Sequence, residues 1–278
     1  MKIWHFAVAI WNRMGQGHFG LIAAGVAFYG MFAVFPGLTA TISIWSLMAD
    51  PAVITDYLAV AERFLPTDAA ALVHDQVIGL LNTPKGALGW ATFVSLSIAL
   101  YSARAGVAAL IQGLDVVHRA TPRNFLWGWA VDFLMTGALI TAFIVALTTI
   151  VVVPILLTYF TLGPFEALIS RLLPWGSMFL LVLTCLGILY RFGPNMPDGR
   201  VPWVTPGTLA ASIAWAGVSI AFSTYLSNFD SYNRIYGSIG AVIALLMWLY
   251  LSVLAVLLGG AINAELTERT VMRKKARA

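Results

Sequence analysis

The chain has 278 residues, of which 60% are hydrophobic and only 10% charged, with a formal net charge of +4. A soluble domain carries about 25% charged residues to solvate its surface, so water is excluded as the main solvent of this protein. The single cysteine, Cys185, excludes an intrachain disulfide, and His5, His18, His74 and His118 lie too far apart for ligand spacing, so no metal or other cofactor is expected.

The residues read as an all-α, polytopic membrane protein: one domain over 1–278 with six transmembrane helices. The N-terminal run MKIWHFAVAIW is short, and Asn12, Arg13 and His18 interrupt it before any small-residue cleavage site, which argues against a cleaved signal. A short helix lying on the inner leaflet is expected instead, with Trp4, Phe6 and Trp11 facing lipid. The first span covers about 19–48. Pro36 predicts a kink there, and Gly25 and Gly30 thin the helix for close packing.

Residues 50–85 change character. Asp50, Asp56, Glu62, Asp68 and Asp75 oppose only Arg63 and Lys85, and apolar residues recur at three- and four-residue steps. Two short amphipathic helices broken at Pro66 are expected, with Thr67 or Asp68 as N-cap.

The second span, 87–109, carries Arg104 late in its length. Inside a bilayer that cation either faces the bundle interior, where Asp115, Asp132 and Glu265 stand at the same level as partners, or snorkels to lipid phosphates. A basic, aromatic connector follows through His118, Arg119, Arg123, Trp127 and Trp129, read as an interface belt. The third span, 128–160, has Asp132 at its entrance and Pro154 near its exit. Pro36 and Pro154 either break helices around a central site or make simple kinks. Ser95, Ser97, Thr136, Thr141, Thr148 and Thr149 either line a path or bond back to their own helices.

A short loop with Glu166 and Arg171 leads to the fourth span, 175–190, and the turn-rich RFGPNMPDGRVP to the fifth, 203–226. Asp230, Asn233 and Arg234 form a polar cluster that reads as a solute gate or as a capped helix–helix turn. The sixth span, 237–262, is the clearest. No charge separates Arg234 from Glu265, a run of about 45 Å as helix against the roughly 30 Å of a bilayer core. It opens at Gly237-Ser238, with Tyr232 and Tyr236 at the lipid–water boundary, and has a Gly259-Gly260 notch near its end. The basic tail 266–278 reads as a topology determinant and an anchor for anionic lipid headgroups, too short to bind nucleic acid.

Six spans put both termini on one side. With the termini inside, inner segments hold twelve of the 16 basic residues, and Arg63, Lys85, Arg171 and Arg234 fall outside. The positive-inside rule therefore favours cytoplasmic termini and an external 50–85 segment.

Short motifs in this order resemble the YihY/virulence factor BrkB family of bacterial inner-membrane proteins. They are Ala27-Phe28-Tyr29 with Pro36, Phe64-Leu65-Pro66, Tyr190 with Pro194, Gly207, Tyr232 with Ile235-Tyr236-Gly237, Ala241-Val242-Ile243, Trp248-Leu249-Tyr250 and Gly260. The resemblance covers about 19–268. It implies an inner-membrane protein that moves a solute, ion or lipid across the envelope. The glutamate that the family often carries after Gly-Ala is Ala261 here, with Glu265 one turn later. Some relatives bear the label ribonuclease BN, but no acidic metal cluster or histidine pair stands here in a soluble domain that RNA could reach.

The expected function is a transporter or exporter of a small solute, ion or lipid. It has no ATPase activity of its own, because no glycine-lysine phosphate loop is present. The alternative is an envelope scaffold that docks a periplasmic protein through residues 50–85. An intramembrane enzyme is disfavoured by the lack of HExxH or Ser/His signatures.

Overall fold

A computed structural model describes residues 2–48, 74, 77–79, 85–121, 123–157, 166–196, 202–227 and 238–275. Seven long helices account for nearly all of them: α1 (Lys2–Gln16), α2 (Phe19–Met48), α3 (Lys85–His118), α4 (Phe125–Leu157), α5 (Glu166–Phe192), α6 (Pro206–Ser227) and α7 (Ser238–Lys275). No strand occurs among the described residues. The amphipathic pair expected over 50–85 lies almost wholly outside them.

Five stretches are long and apolar enough to cross a bilayer: Phe19–Thr41, Gly89–His118, Phe125–Val145, Pro206–Tyr225 and Val242–Thr270. The expected fourth span corresponds to Gly176–Phe192, apolar but shorter. Large apolar side chains such as Phe32, Phe93, Leu134 and Ile213 point outward, while small residues fill the interior (Ala23, Ala211, Ser212 and Ala261 are fully buried). This distribution suits a bundle in lipid, where helices associate through close backbone approach rather than hydrophobic expulsion.

Several helices run past their expected ends. Nothing in VAALIQGLDVVH breaks a helix, so α3 continues to His118. It stops there because Thr121-Pro122 cannot continue it. The stop is a Schellman turn: Ala120 N–H donates to the Asp115 carbonyl at 2.9 Å, and Arg119 takes φ 51°. The expected loop holding Glu166 and Arg171 is the first turns of α5, since EALISRLL is a good helix former. The last helix likewise runs past the expected span into the basic tail, through Lys275. Glu265 and Arg269 stand one turn apart and pair at 2.8 Å, which supports that extension. Pro36 sits inside α2 without ending it.

The chain divides into two compact units. One comprises 24–106 and 219–251. Within it Gly106 faces the Tyr29 Cβ and the Val26 carbonyl, Gly30 faces Leu249, and Trp248 Nε1–H donates to Ser219 Oγ at 3.2 Å. Gly25 departs from expectation: nothing described lies within 4 Å of where its Cβ would stand, so it mediates no close packing there. The other unit comprises 1–23, 107–218 and 252–278, and holds both cavities considered below.

Candidate functional site

The second unit is built on a tight crossing of α6 over α7. Thr205 caps α6: its Oγ1 accepts the Thr208 N–H at 3.1 Å and contacts the Thr208 hydroxyl at 2.7 Å, and Pro206 sits at the first helical position. The next residue, Gly207, must approach α7 directly. A Cβ there would overlap the Gly259 carbonyl oxygen and the Asn263 side chain, and one on Gly259 would overlap the Gly207 carbonyl, the Tyr190 hydroxyl and the Ala211 Cβ.

Asn263 Oδ1 accepts the Gly207 N–H at 2.9 Å, so α7 satisfies an amide that the start of α6 leaves open. Tyr190, fully buried, donates its hydroxyl to the Val256 carbonyl. The Gly259-Gly260 notch read from the sequence is therefore a real packing surface. Tyr190→Phe is expected to destabilise by about 1 kcal/mol, the worth of one buried hydrogen bond. An unfolding titration in mixed micelles checks it.

Past the notch, α7 meets α1. Gly17 and His18 turn the chain between α1 and α2, with His18 at φ 51° and Gly17 N–H donating to the Arg13 carbonyl at 2.9 Å. A Cβ on Gly17 would strike the Phe19 ring, so glycine is required at this corner. The reversal lays α1 beside α7 and brings Arg13 to two carboxylates. Its guanidinium pairs with Glu265 at 3.3 Å and closely with Glu268, and donates to the Val117 carbonyl at 2.7 Å. Arg269 binds the far side of Glu265, and Arg119 reaches Glu268 at 3.6 Å.

Arg13 and Glu265 keep only 14% and 12% of their side-chain surface, so these charges are largely withdrawn from solvent. Two cations and two carboxylates thus face a cavity of about 420 Å³ that Asn12, Gln16 and Met272 also line. Ions at the end of an apolar helix pair are held in place here by mutual pairing, with the cavity beside them open to small polar groups.

Trp4 and Trp11 are strongly exposed on α1, as a lipid-facing surface requires. Phe6 is a correction: it is half-buried, with the Arg269 guanidinium 4.9 Å above its ring. Trp4 and Trp11 are seven residues apart and share a face, whereas Phe6, two residues from Trp4, points elsewhere.

Of the described candidate path residues, only Glu265 belongs to this cluster. Asp115 accepts the Asn195 N–H at 2.8 Å and so ties α3 to the segment after α5. Asp132 lies two turns inside α4 rather than at an entrance, because that helix starts at Phe125. Arg104 is half-buried in the unit comprising 24–106 and 219–251, its guanidinium 5.9 Å from the Tyr101 ring centroid. Pro154 falls in the last turn of α4. Trp248 and Tyr250 are half-buried, and Gly260 faces Leu114 and Tyr190. Asp230, Asn233, Arg234, Tyr232, Tyr236 and Gly237 lie outside the described residues. Ser97 and Thr136 bond to the Phe93 and Asp132 carbonyls of their own helices, at 2.8 and 2.7 Å.

Nothing in the local sequence around Arg13, Arg119, Glu268 or Asn263 marks them as site residues. The available signal was the short Gly17-His18 corner, which folds an amphipathic helix back onto the tail.

Residues 10–278 match the family described as virulence factor BrkB. The ribonuclease-like protein YfkH of Bacillus subtilis (strain 168) is 31% identical over 256 residues, covering 89% of this chain and 90% of that protein. A UPF0761 membrane protein of Xanthomonas oryzae pv. oryzae (strain PXO99A) is 29% identical over 268 residues. Another, of Stenotrophomonas maltophilia (strain K279a), is 26% identical over 272 residues. Both alignments cover 94% of this chain but 60% of the relative, so the chain spans well under two thirds of those proteins' length. No solved structure matches.

Proposed function

Because the chain belongs to the virulence factor BrkB family of membrane proteins, we propose that it crosses a bacterial inner membrane six times, with both termini in the cytoplasm, and carries a small solute, ion or lipid across the envelope. Five stretches meet the length of a span, and the sixth, Gly176–Phe192, continues a 27-residue helix that crosses with modest bilayer thinning. The inner-side excess of arginine and lysine supports the orientation.

The observation that carries the transport reading is the ion network around the largely buried Arg13 and Glu265, joined by the more exposed Glu268 and Arg119, against its cavity of about 420 Å³. In this reading α1 is an interfacial latch on α7. Its arginine neutralises the carboxylates while the latch is closed, and lifting α1 exposes them to an entering solute. Glu265 then takes the part of the carboxylate that relatives carry one turn earlier, where Ala261 is fully buried here. The reading is non-enzymatic, since each carboxylate of the cluster is held by arginines rather than poised as an acid or base. The ribonuclease-like name belongs to the B. subtilis relative and is not carried over. The scaffold alternative rests on residues 50–85, and no observation favours it over transport.

The test is flux in proteoliposomes across a panel of inorganic ions, amino acids, small metabolites and fluorescent phospholipids. At least one member is expected to move several-fold faster than in empty vesicles. Rates equal to empty vesicles across the whole panel overturn the proposal.

A further inference from the structure

A second cavity, of about 570 Å³, lies between α4 and α5 and is lined by none of the latch residues. The two helices pack against each other, and the start of α4 meets the end of α5. Trp127, Val131, Leu134 and Ala138 follow one another at three- and four-residue steps and make a continuous apolar stripe along α4. Ile188 faces them from α5.

Two arginines close one end of this apolar wall. Arg123 stands two residues before the candidate span Phe125–Val145, and Arg191 is the penultimate residue of the apolar stretch Gly176–Phe192. Arg123 is steadied by donating to the Phe192 carbonyl at 3.4 Å. The Arg191 guanidinium lies 5.6 Å from the Phe192 ring centroid and 5.4 Å from that of Trp203. Asp115, behind them, accepts the Asn195 N–H and interacts electrostatically with Arg123, while neither Asp115 nor Asp132 lines the cavity that both guanidiniums face.

We propose that this groove binds one anionic phospholipid, its phosphate held by Arg123 and Arg191 and one acyl chain lying along the α4 stripe. The chemistry selects this occupant over others. Two guanidiniums lining one cavity, at the level where a candidate span begins, complement the charge of a headgroup phosphate, and a guanidinium is the group that binds phosphate through paired N–H donors. The walls beyond them are hydrocarbon and indole, which a free phosphate leaves unused and an acyl chain covers. Trp127, exposed at the mouth, suits the headgroup boundary. The proposal is independent of whether the protein transports anything.

Native mass spectrometry of the purified full chain in micelles doped with phosphatidylglycerol or phosphatidylcholine tests it. Wild-type protein is expected to retain one phosphatidylglycerol, with the double variant Arg123→Gln, Arg191→Gln on the order of tenfold weaker. Arg123→Lys, Arg191→Lys is expected to recover part of that loss by restoring charge without the planar fork. Photoreactive phosphatidylglycerol added to the unaltered protein is expected to label the peptide containing Trp127 and Leu134, so the result does not depend on variants folding. Equal retention of the two lipids, or label elsewhere only, overturns the proposal. So does protection of the groove by inorganic phosphate alone, which would mean that the apolar wall is not used.

Discussion

Replacing Gly259 by leucine is expected to abolish folded protein, whereas Gly217→Ala in the neighbouring helix changes stability by less than about 0.5 kcal/mol. The difference lies in what each site faces. A side chain on Gly259 would meet the Gly207 carbonyl, the Ala211 Cβ and the Tyr190 hydroxyl, and the first two belong to a helix that cannot rotate away. Gly217 has nothing within 4 Å. Between the extremes, Gly259→Ala must push α6 outward. That weakens the Asn263–Gly207 hydrogen bond of 2.9 Å, and a loss of about 2 kcal/mol is expected, within the usual range for overpacking. Fluorescence-detected size-exclusion chromatography of membrane extracts reads the leucine variant, and detergent-unfolding titrations read the alanine variants. A monodisperse Gly259→Leu protein in normal yield would show that the α6–α7 crossing is looser than described.

The second large effect is electrostatic. Arg13→Ala is expected to destabilise by about 3 kcal/mol, because removing one partner of a largely buried ion pair strands the other. Glu265, with 12% of its side chain exposed, would keep only Arg269. Glu268 is 37% exposed, and water screens it, so its share of the loss is smaller. The discriminating experiment is the combination. Arg13→Gln with Glu265→Gln removes both charges at once and is expected to recover much of the stability lost in Arg13→Ala. If the single and combined variants unfold alike, packing of the arginine stem rather than charge holds α1 to α7. The same set, assayed for flux, asks whether loosening the latch alters transport while the bundle stays folded.

How much of this was legible in the sequence follows from the range of each interaction. The thirty uncharged residues before Glu265 state a membrane-spanning helix on their own, because a bilayer reads only local hydrophobicity and length. Trp4 and Trp11 likewise share an exposed face of α1, since seven-residue spacing is a local property. The Gly259-Gly260 notch announced a close approach but not its partner. Glu265 stands out in the sequence by its place one turn after Ala261, and Arg104 is the partner that a shared membrane level suggests. Glu265 instead pairs with Arg13 and Arg269, the first of them 252 residues away. That pairing depends on the left-handed turn at His18, which a local reading passes over as a loop. Helix ends were misjudged for a related reason: α3 stops at a Schellman turn on Arg119, and α7 continues because its tail packs on α1.

By itself, the sequence determined that this is a membrane protein and roughly which stretches are long and apolar enough to cross a bilayer. Those follow from hydrocarbon content summed over windows of about twenty residues. The tertiary structure alone decided which charges face each other. Hydrophobic burial is non-directional and can be read along the chain, whereas an ion pair needs its two partners within about 4 Å, and only the packed helices bring them there.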